Sequence, residues 1–329
     1  MEKNLLHDLE LLTGNRQILA KSFRTEYNSL LIFSAGMYAS KNAIADPEKI
    51  RRSVSLIKSK THSFSTFRNT HMRFCTATML SLECAPEKSF NRVLSVYEAL
   101  RKSFSPSFYL ALSAYMLAME GGNCDINRTA ESMHGFYSMM KADHSFLTTG
   151  ESIIYAALAS LSGISGKDFH ERTEIAYLKM KGFFPASSRL LCSYLIALSP
   201  FSEDYGFERT VMLYERLRAE KLRYGKYHEL PVLTALALTN GDITVLAKEV
   251  KEVNDYLRTF RGFGASLGST QRLMFSATRL CTVKSLSDGT APRSIAMNGT
   301  CAAILSQQQA AVMAAVAASA VNVAAASSN

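Results

Sequence analysis

Two kinds of apolar pattern alternate along the chain at a period near 40 residues. In the first kind, apolar residues recur at helical spacing among polar ones. "VYEALRKSF", "FYSMMKADH", "AYLKMKGFF" and "LYERLRAEK" share a Tyr, then Leu or Met three residues on, then Lys or Arg four on. The tyrosines are Tyr97, Tyr137, Tyr177 and Tyr214, spaced by 40, 40 and 37 residues, with a degraded copy at Tyr256. Seven residues after the Tyr stands an aromatic in Phe104, Phe184 and Phe263, with His144 in the second copy. Offsets of zero, three and seven fall on one helical face, so each segment is expected to be an amphipathic helix. Arg92, Arg172 and Arg209, five residues before their Tyr, are expected to point to water.

The second kind is apolar or small on every side: "YLALSAYMLAM", "IIYAALASL", "LLCSYLIAL" and "VLTALAL". A helix apolar all round is covered by neighbours over most of its circumference, so these are expected inner helices. Boundary signals agree. Asp46-Pro47 and Ser105-Pro106 place a capping side chain before a proline at a helix start. Thr148 and Glu151 have capping-box spacing. Gly121-Gly122, Gly163, Pro200 and Asn240-Gly241 are stops. Seven helix pairs result, over about 3–43, 46–83, 87–121, 125–163, 167–200, 206–240 and 242–285. The fold class is all-α, an α-α superhelix or solenoid of antiparallel helix pairs, tightly wound because its inner helices are apolar all round. Residues 1–285 form the repeat domain. Residues 286–329 are read as a Gly/Pro loop and an uncharged Ala-rich helix that closes the array.

Composition narrows the function without choosing it. The chain has 37 Lys and Arg against 28 Asp and Glu, a formal charge of +9, and no Trp. That excess permits attraction to nucleic acid, anionic lipid or acidic protein. The six cysteines show no C-x-x-C pair, and most lie in apolar helical contexts where a thiol packs as a small hydrophobe. "MEKNLLHDLELL" has acids inside its apolar stretch and does not read as a secretory signal. No apolar run reaches bilayer length. A cytoplasmic location and no membrane span are expected.

Catalytic motifs are sparse. Gly264-Ala265-Ser266-Leu267-Gly268 matches G-x-S-x-G, but it falls in a helix–helix loop with no strand before it. The histidines lack H-E-x-x-H or zinc spacing, and there is no phosphate loop. No catalytic residue, metal site or cofactor is assigned. Glu83, Glu120, Glu151 and Glu203 flank inner-helix ends, where a closed α/α toroid would gather carboxylates for glycoside chemistry. The densest basic patch, "ERLRAEKLRYGKYH", carries Arg216, Arg218, Lys221, Arg223 and Lys226 with Tyr224 and Tyr227 interleaved, a surface on which phosphates and bases could lie. Arg216 and Arg223 are read as sharing a helix face with Glu220 between them.

"HSFLTTGESIIYAALAS" (His144–Ser160), "SFSTFR" (Ser63–Arg68) and "GFGASLGSTQRLMFSATRL" (Gly262–Leu280) resemble a bacterial family of unknown function of the DUF4003 type. The resemblance covers most of the chain to about Leu280. It implies a bacterial, cytosolic, helical protein and no particular activity. The family's turn usually carries Glu-Asp where this chain has Glu151-Ser152. Three function readings follow: a scaffold for a protein or peptide partner, or for self-association; a nucleic-acid binder using the 216–227 face; and a toroidal enzyme with a carboxylate pocket.

Overall fold

A computed structural model describes residues 1–120, 125–227 and 229–287. The described residues contain no strand. Seven outer helices are α1 (Lys3–Ser22), α3 (Pro47–Lys60), α5 (Pro86–Leu100), α7 (Ile126–Asp143), α9 (Gly166–Lys179), α11 (Glu203–Ala219) and α13 (Ile243–Arg258). Each is followed by its inner partner: α2 (Asn28–Ser40), α4 (Thr70–Ser81), α6 (Phe108–Glu120), α8 (Ser152–Ser162), α10 (Ala186–Leu198), α12 (Leu230–Ala237) and α14 (Ser269–Ser287). All seven expected pairs are present. The expected Ala-rich helix, the stop at Gly121-Gly122 and His228 lie outside the described residues.

Polarity divides the helices as the sequence pattern requires. Eleven consecutive residues of α2, Ser29 to Ala39, are buried, and so is every residue of α12. In α3 only Ile50, Ser53 and Ile57 are buried, one stripe of an amphipathic helix. A second repeat is written into the inner ring. Ser34, Thr76, Ser113, Ser193, Thr234 and Ser276 occupy the same mid-helix slot of six inner helices, each fully buried. Most are followed by Ala, which keeps the helices close.

The array closes on itself. Outer helices pack in sequence from α1 to α13, and α13 then packs against α1, while α14 packs against both α1 and α2. Arg279 of α14 seals the junction from a site only 1% exposed. Its Nε donates to Asp8 Oδ2 at 2.9 Å and its Nη1 to Gly36 O at 3.0 Å and Ser40 Oγ at 3.1 Å. At the other end of the junction Asn28 Nδ2 donates to Gly262 O at 2.6 Å, and Arg16 Nη2 donates to Asn28 Oδ1 at 2.6 Å. Inner helices touch their neighbours around the ring, except that a 3-10 turn, Thr66–Arg68, is inserted between α4 and α6 and packs on both.

The repeated tyrosine does bind repeat to repeat, by a route the helical wheel did not give. The aromatic seven residues on lies beyond its helix and packs on the tyrosine of the next repeat. Phe104 meets Tyr137 with ring centroids 5.3 Å apart, His144 meets Tyr177 at 4.5 Å and Phe184 meets Tyr214 at 5.3 Å. Phe67 serves Tyr97 at 5.0 Å. Tyr97 and Tyr214 are buried, and Tyr137 and Tyr177 half-buried.

Three other expectations are corrected. Arg172 and Arg209 do not face water. Arg172 Nη1 donates to Ser199 O at 3.0 Å and Nη2 to Ile196 O at 3.3 Å, with Glu203 pairing its Nε. Arg209 donates to the carbonyls of Ala237, Thr239 and Gly241 at 2.6, 3.0 and 2.8 Å. Each guanidinium thus caps the C-terminus of its own inner helix, where orphan carbonyls and the dipole favour a cation. Helix α6 starts after Pro106, with Ser107 Oγ accepting from Leu110 N at 3.1 Å. Thr148 and Glu151 form no capping box: α8 begins at Ser152, and Thr148 Oγ1 donates to Met140 O and His144 O, both at 2.9 Å. The free carbonyls at the end of α7 are the nearer acceptors.

Candidate functional site: the inner-helix N-terminal end of the ring

All inner helices run the same way, so the ring has two chemically different ends. At the end where inner helices finish, the connections carry one Lys or Arg against four Asp or Glu. Their polar groups are spent on structure. Asp46, Asp125, Ser165, Ser202 and Asp242 cap five outer helices. Glu83 accepts from Tyr115 Oη at 3.2 Å.

At the end where inner helices start, the connections 23–27, 61–69, 101–107, 144–151, 180–185, 220–229 and 259–268 carry nine Lys or Arg against four Glu. Eight of the nine bases are exposed, all but Arg68, and none of the four carboxylates is. Glu220 pairs with Lys251 at 2.6 Å. Glu151 accepts from Tyr109 Oη at 3.3 Å, and burial together with this carboxylate holds the Tyr109 phenol above its usual range. Burial raises the Glu26 carboxyl against the opposing pull of Arg73. Glu229 is buried. The inner-helix N-termini point their positive dipole ends to this same face.

Four of the five exposed Phe and Tyr side chains among the described residues also lie here: Phe64 at 97% exposure, Phe146 at 99%, Phe183 at 49% and Tyr227 at 62%. Between α4 and α6 a cleft of about 540 Å³ opens beside Phe64, His71, Met72 and Phe108. The His71 ring packs on Tyr27 with centroids 5.1 Å apart, and burial lowers its pKa, so it stays neutral near pH 7. Arg68, also on the wall, is occupied: its Nη2 donates to Thr61 O at 2.6 Å.

The basic patch of the sequence lies on this end with altered details. Arg216, Arg218, Lys221, Arg223 and Lys226 are all exposed. Helix α11 ends at Ala219 and Lys221 is left-handed (φ 61°), so Arg223 leaves the helix face it was expected to share with Arg216. Glu220 therefore pairs across to α13. Arg218 bonds Glu215 at 3.2 Å and, with Lys226, lies over the Tyr214 ring. Tyr224 is buried, which leaves Tyr227 as the patch's exposed aromatic.

Other candidate chemistry disperses. Glu151 stands at the basic end, and Glu83 and Glu203 at the opposite one. The Glu120 side chain lies outside the described residues. Ser266 is an exposed loop residue between two helices, without the strand that a nucleophile elbow needs. Burial pushes the thiols of Cys75, Cys192 and Cys281 up to about 12, which leaves them inert. Among the described residues no three His, Cys, Asp or Glu side chains gather as a metal site. Among them, too, no helix is long and apolar enough to cross a membrane. His144 is a packing residue: its Nε2 meets Glu174 at 2.6 Å.

Fold and surface together define an all-helical repeat protein, closed into a ring, with one basic, aromatic-tipped end. Over residues 16–310 the chain matches the family described as "Protein of unknown function (DUF4003)", and it belongs to that family. No curated protein and no solved structure matches it.

Proposed function

We propose that the protein is an interaction scaffold whose working surface is the basic end of the ring, and that its partner is anionic there. The observation carrying this reading is the asymmetry of exposure: eight bases turned to solvent, while the four carboxylates of the same connections are buried or half-buried. Such a field concentrates and orients a polyanionic partner, and its strength falls with salt. Closure supports the choice of an end face. An open array offers a concave groove along its inner helices, whereas here those helices are buried by their neighbours. An acidic protein or peptide segment fits this scaffold reading.

A nucleic acid is the second reading, favoured by the exposure of Arg216, Lys221 and Arg223 beside Tyr227. The test of the scaffold reading is retention on immobilised heparin across a salt gradient. The wild-type chain is expected to bind at low salt and elute as salt rises. Replacing Lys221, Arg223 and Lys226 with Glu should shift elution to distinctly lower salt. Wild-type protein that flows through at low salt, or a triple variant that elutes unchanged, would contradict the proposal.

A further inference from the structure

We infer that the basic end docks on an anionic lipid surface, with Phe64 and Phe146 entering the bilayer interface. This rests on the reading that this end is the working surface, and it names the partner.

Single exposed apolar residues are ordinary on proteins. The arrangement here is more particular. Phe64 and Phe146 stand at 97% and 99% exposure, so they project from the surface, Phe64 at the rim of the cleft between α4 and α6. Their counterparts Phe67, Phe104 and Phe184, from equivalent connections, are buried against the repeat tyrosines. The two projecting rings come from different hairpins of a closed ring and share its basic end. The exposed aromatic at the opposite end, Tyr205, has the Arg209 guanidinium over its face, 5.2 Å from the ring centre.

A protein partner must supply a separate socket for each projecting ring. A fluid interface accepts both at once, and aromatic side chains favour that layer.

The two fully projecting rings also sit apart from the exposed cations, although Phe183 and Tyr227 share connections with bases. The Phe146 connection carries no Lys or Arg, and the only base beside Phe64, Arg68, is tied to Thr61. Exposed bases stand instead on other connections, among them Arg101, Lys102, Lys221 and Arg223. A single nucleic-acid strand needs cations and stacking rings interleaved along one track. Tips and charges distributed over separate hairpins suit an extended charged plane, where each base adds attraction to anionic headgroups. The carboxylates of these connections are buried, half-buried or, for Glu220, paired with Lys251, which lessens the repulsion that such a plane would meet.

The chain has no Trp, so one introduced Trp reports its own surroundings. Phe64→Trp and Phe146→Trp are made separately and mixed with vesicles of phosphatidylcholine containing roughly one-third phosphatidylglycerol. Both emissions are expected to shift to the blue on these vesicles and to stay put on pure phosphatidylcholine. The double variant Phe64→Ser/Phe146→Ser should bind the anionic vesicles about tenfold or more weakly, since it forfeits the inserted apolar area. Its heparin retention and melting temperature should match wild type, because neither ring packs in the fold.

No blue shift on anionic vesicles, or undiminished vesicle binding by the double variant, overturns the inference. If heparin retention persists in that case, the basic end remains a working surface with a different partner; loss of both ends the two proposals together. Tight binding of a single-stranded oligonucleotide without any vesicle binding overturns the lipid partner in favour of nucleic acid.

Discussion

Arg209 and Arg223 belong to the same helical hairpin and meet opposite fates. Arg209 is turned onto three carbonyls at the end of α12, while Arg223 stands in solvent at the other end of the ring. The contrast extends to both ends as wholes. Where the inner helices finish, arginines stop helices, aspartates start them, and Arg279 with Asp8 joins the last hairpin to the first. Where they start, eight of nine bases are exposed and Phe64 and Phe146 project, beside phenylalanines that pack on the repeat tyrosines. A residue type therefore says little about role in this fold. What decides is whether unsatisfied backbone lies within its reach.

The contrast predicts that substitutions of buried or backbone-bound groups act on stability, and those of the exposed bases and projecting rings at the second end on binding. The largest effects belong to the closure and the stitch between repeats. Arg279→Met leaves Asp8 buried without its cation and should cost about 3–5 kcal/mol in urea unfolding. Adding Asp8→Leu should restore most of that loss. The slot itself tolerates Met, since α2, α4 and α6 carry Met37, Met79 and Met116 at the equivalent place. Tyr97→Ala should cost about 3–5 kcal/mol as a buried aromatic, and the half-buried Tyr177→Ala less, about 1–3 kcal/mol. Equal losses at the two tyrosines would show that exposure does not grade the stitch.

Arg209→Ala removes charged hydrogen bonds to backbone and should cost about 2–3 kcal/mol. Asp46→Ala, which removes the α3 cap, should cost about 1 kcal/mol. At the opposite end, Lys221→Glu and Arg223→Glu should each change stability by no more than about 0.5 kcal/mol. A large loss there would break the comparison by giving those bases a structural duty.

Glu26 sharpens the comparison through pH. Burial raises its folded pKa above that of the unfolded chain, so the native state holds the proton longer. Its contribution is complete below the unfolded carboxyl range and is lost as pH rises through the folded value. Glu26→Gln should therefore stabilise the protein at neutral pH and change little near pH 4, read as urea midpoints at the two pH values. A variant less stable at neutral pH would mean that the Arg73 attraction outweighs burial.

Much of the fold was legible in the sequence because hairpin boundaries are local. The Tyr period, the all-apolar inner segments and the Asp46 cap each depend on residues within a helix turn or two. Closure was not legible. It hangs on a pair, Arg279 and Asp8, whose alignment depends on the small rotation between successive hairpins. The arginine clamps were missed because their partners are carbonyls, which every residue has. The tips were missed because Phe64 and Phe146 look like Phe104 and Phe184 in sequence. Only the next repeat's tyrosine distinguishes a covered ring from a projecting one. Phe183 and Phe184 make the point side by side, one half-exposed and one buried.

Ring closure is the claim on which the two-ended surface depends, and a distance measures it. Spin labels on Glu10→Cys of α1 and Glu252→Cys of α13, with Cys84, Cys124 and Cys301 changed to Ser, sit on exposed positions of adjoining outer helices. Closure gives a single narrow distribution below about 30 Å, since packed helices lie about 10 Å apart. The same seven hairpins stacked without closing would separate the labels by about 60 Å, six steps of that size. A distribution centred there, or one spread between the two, contradicts the ring.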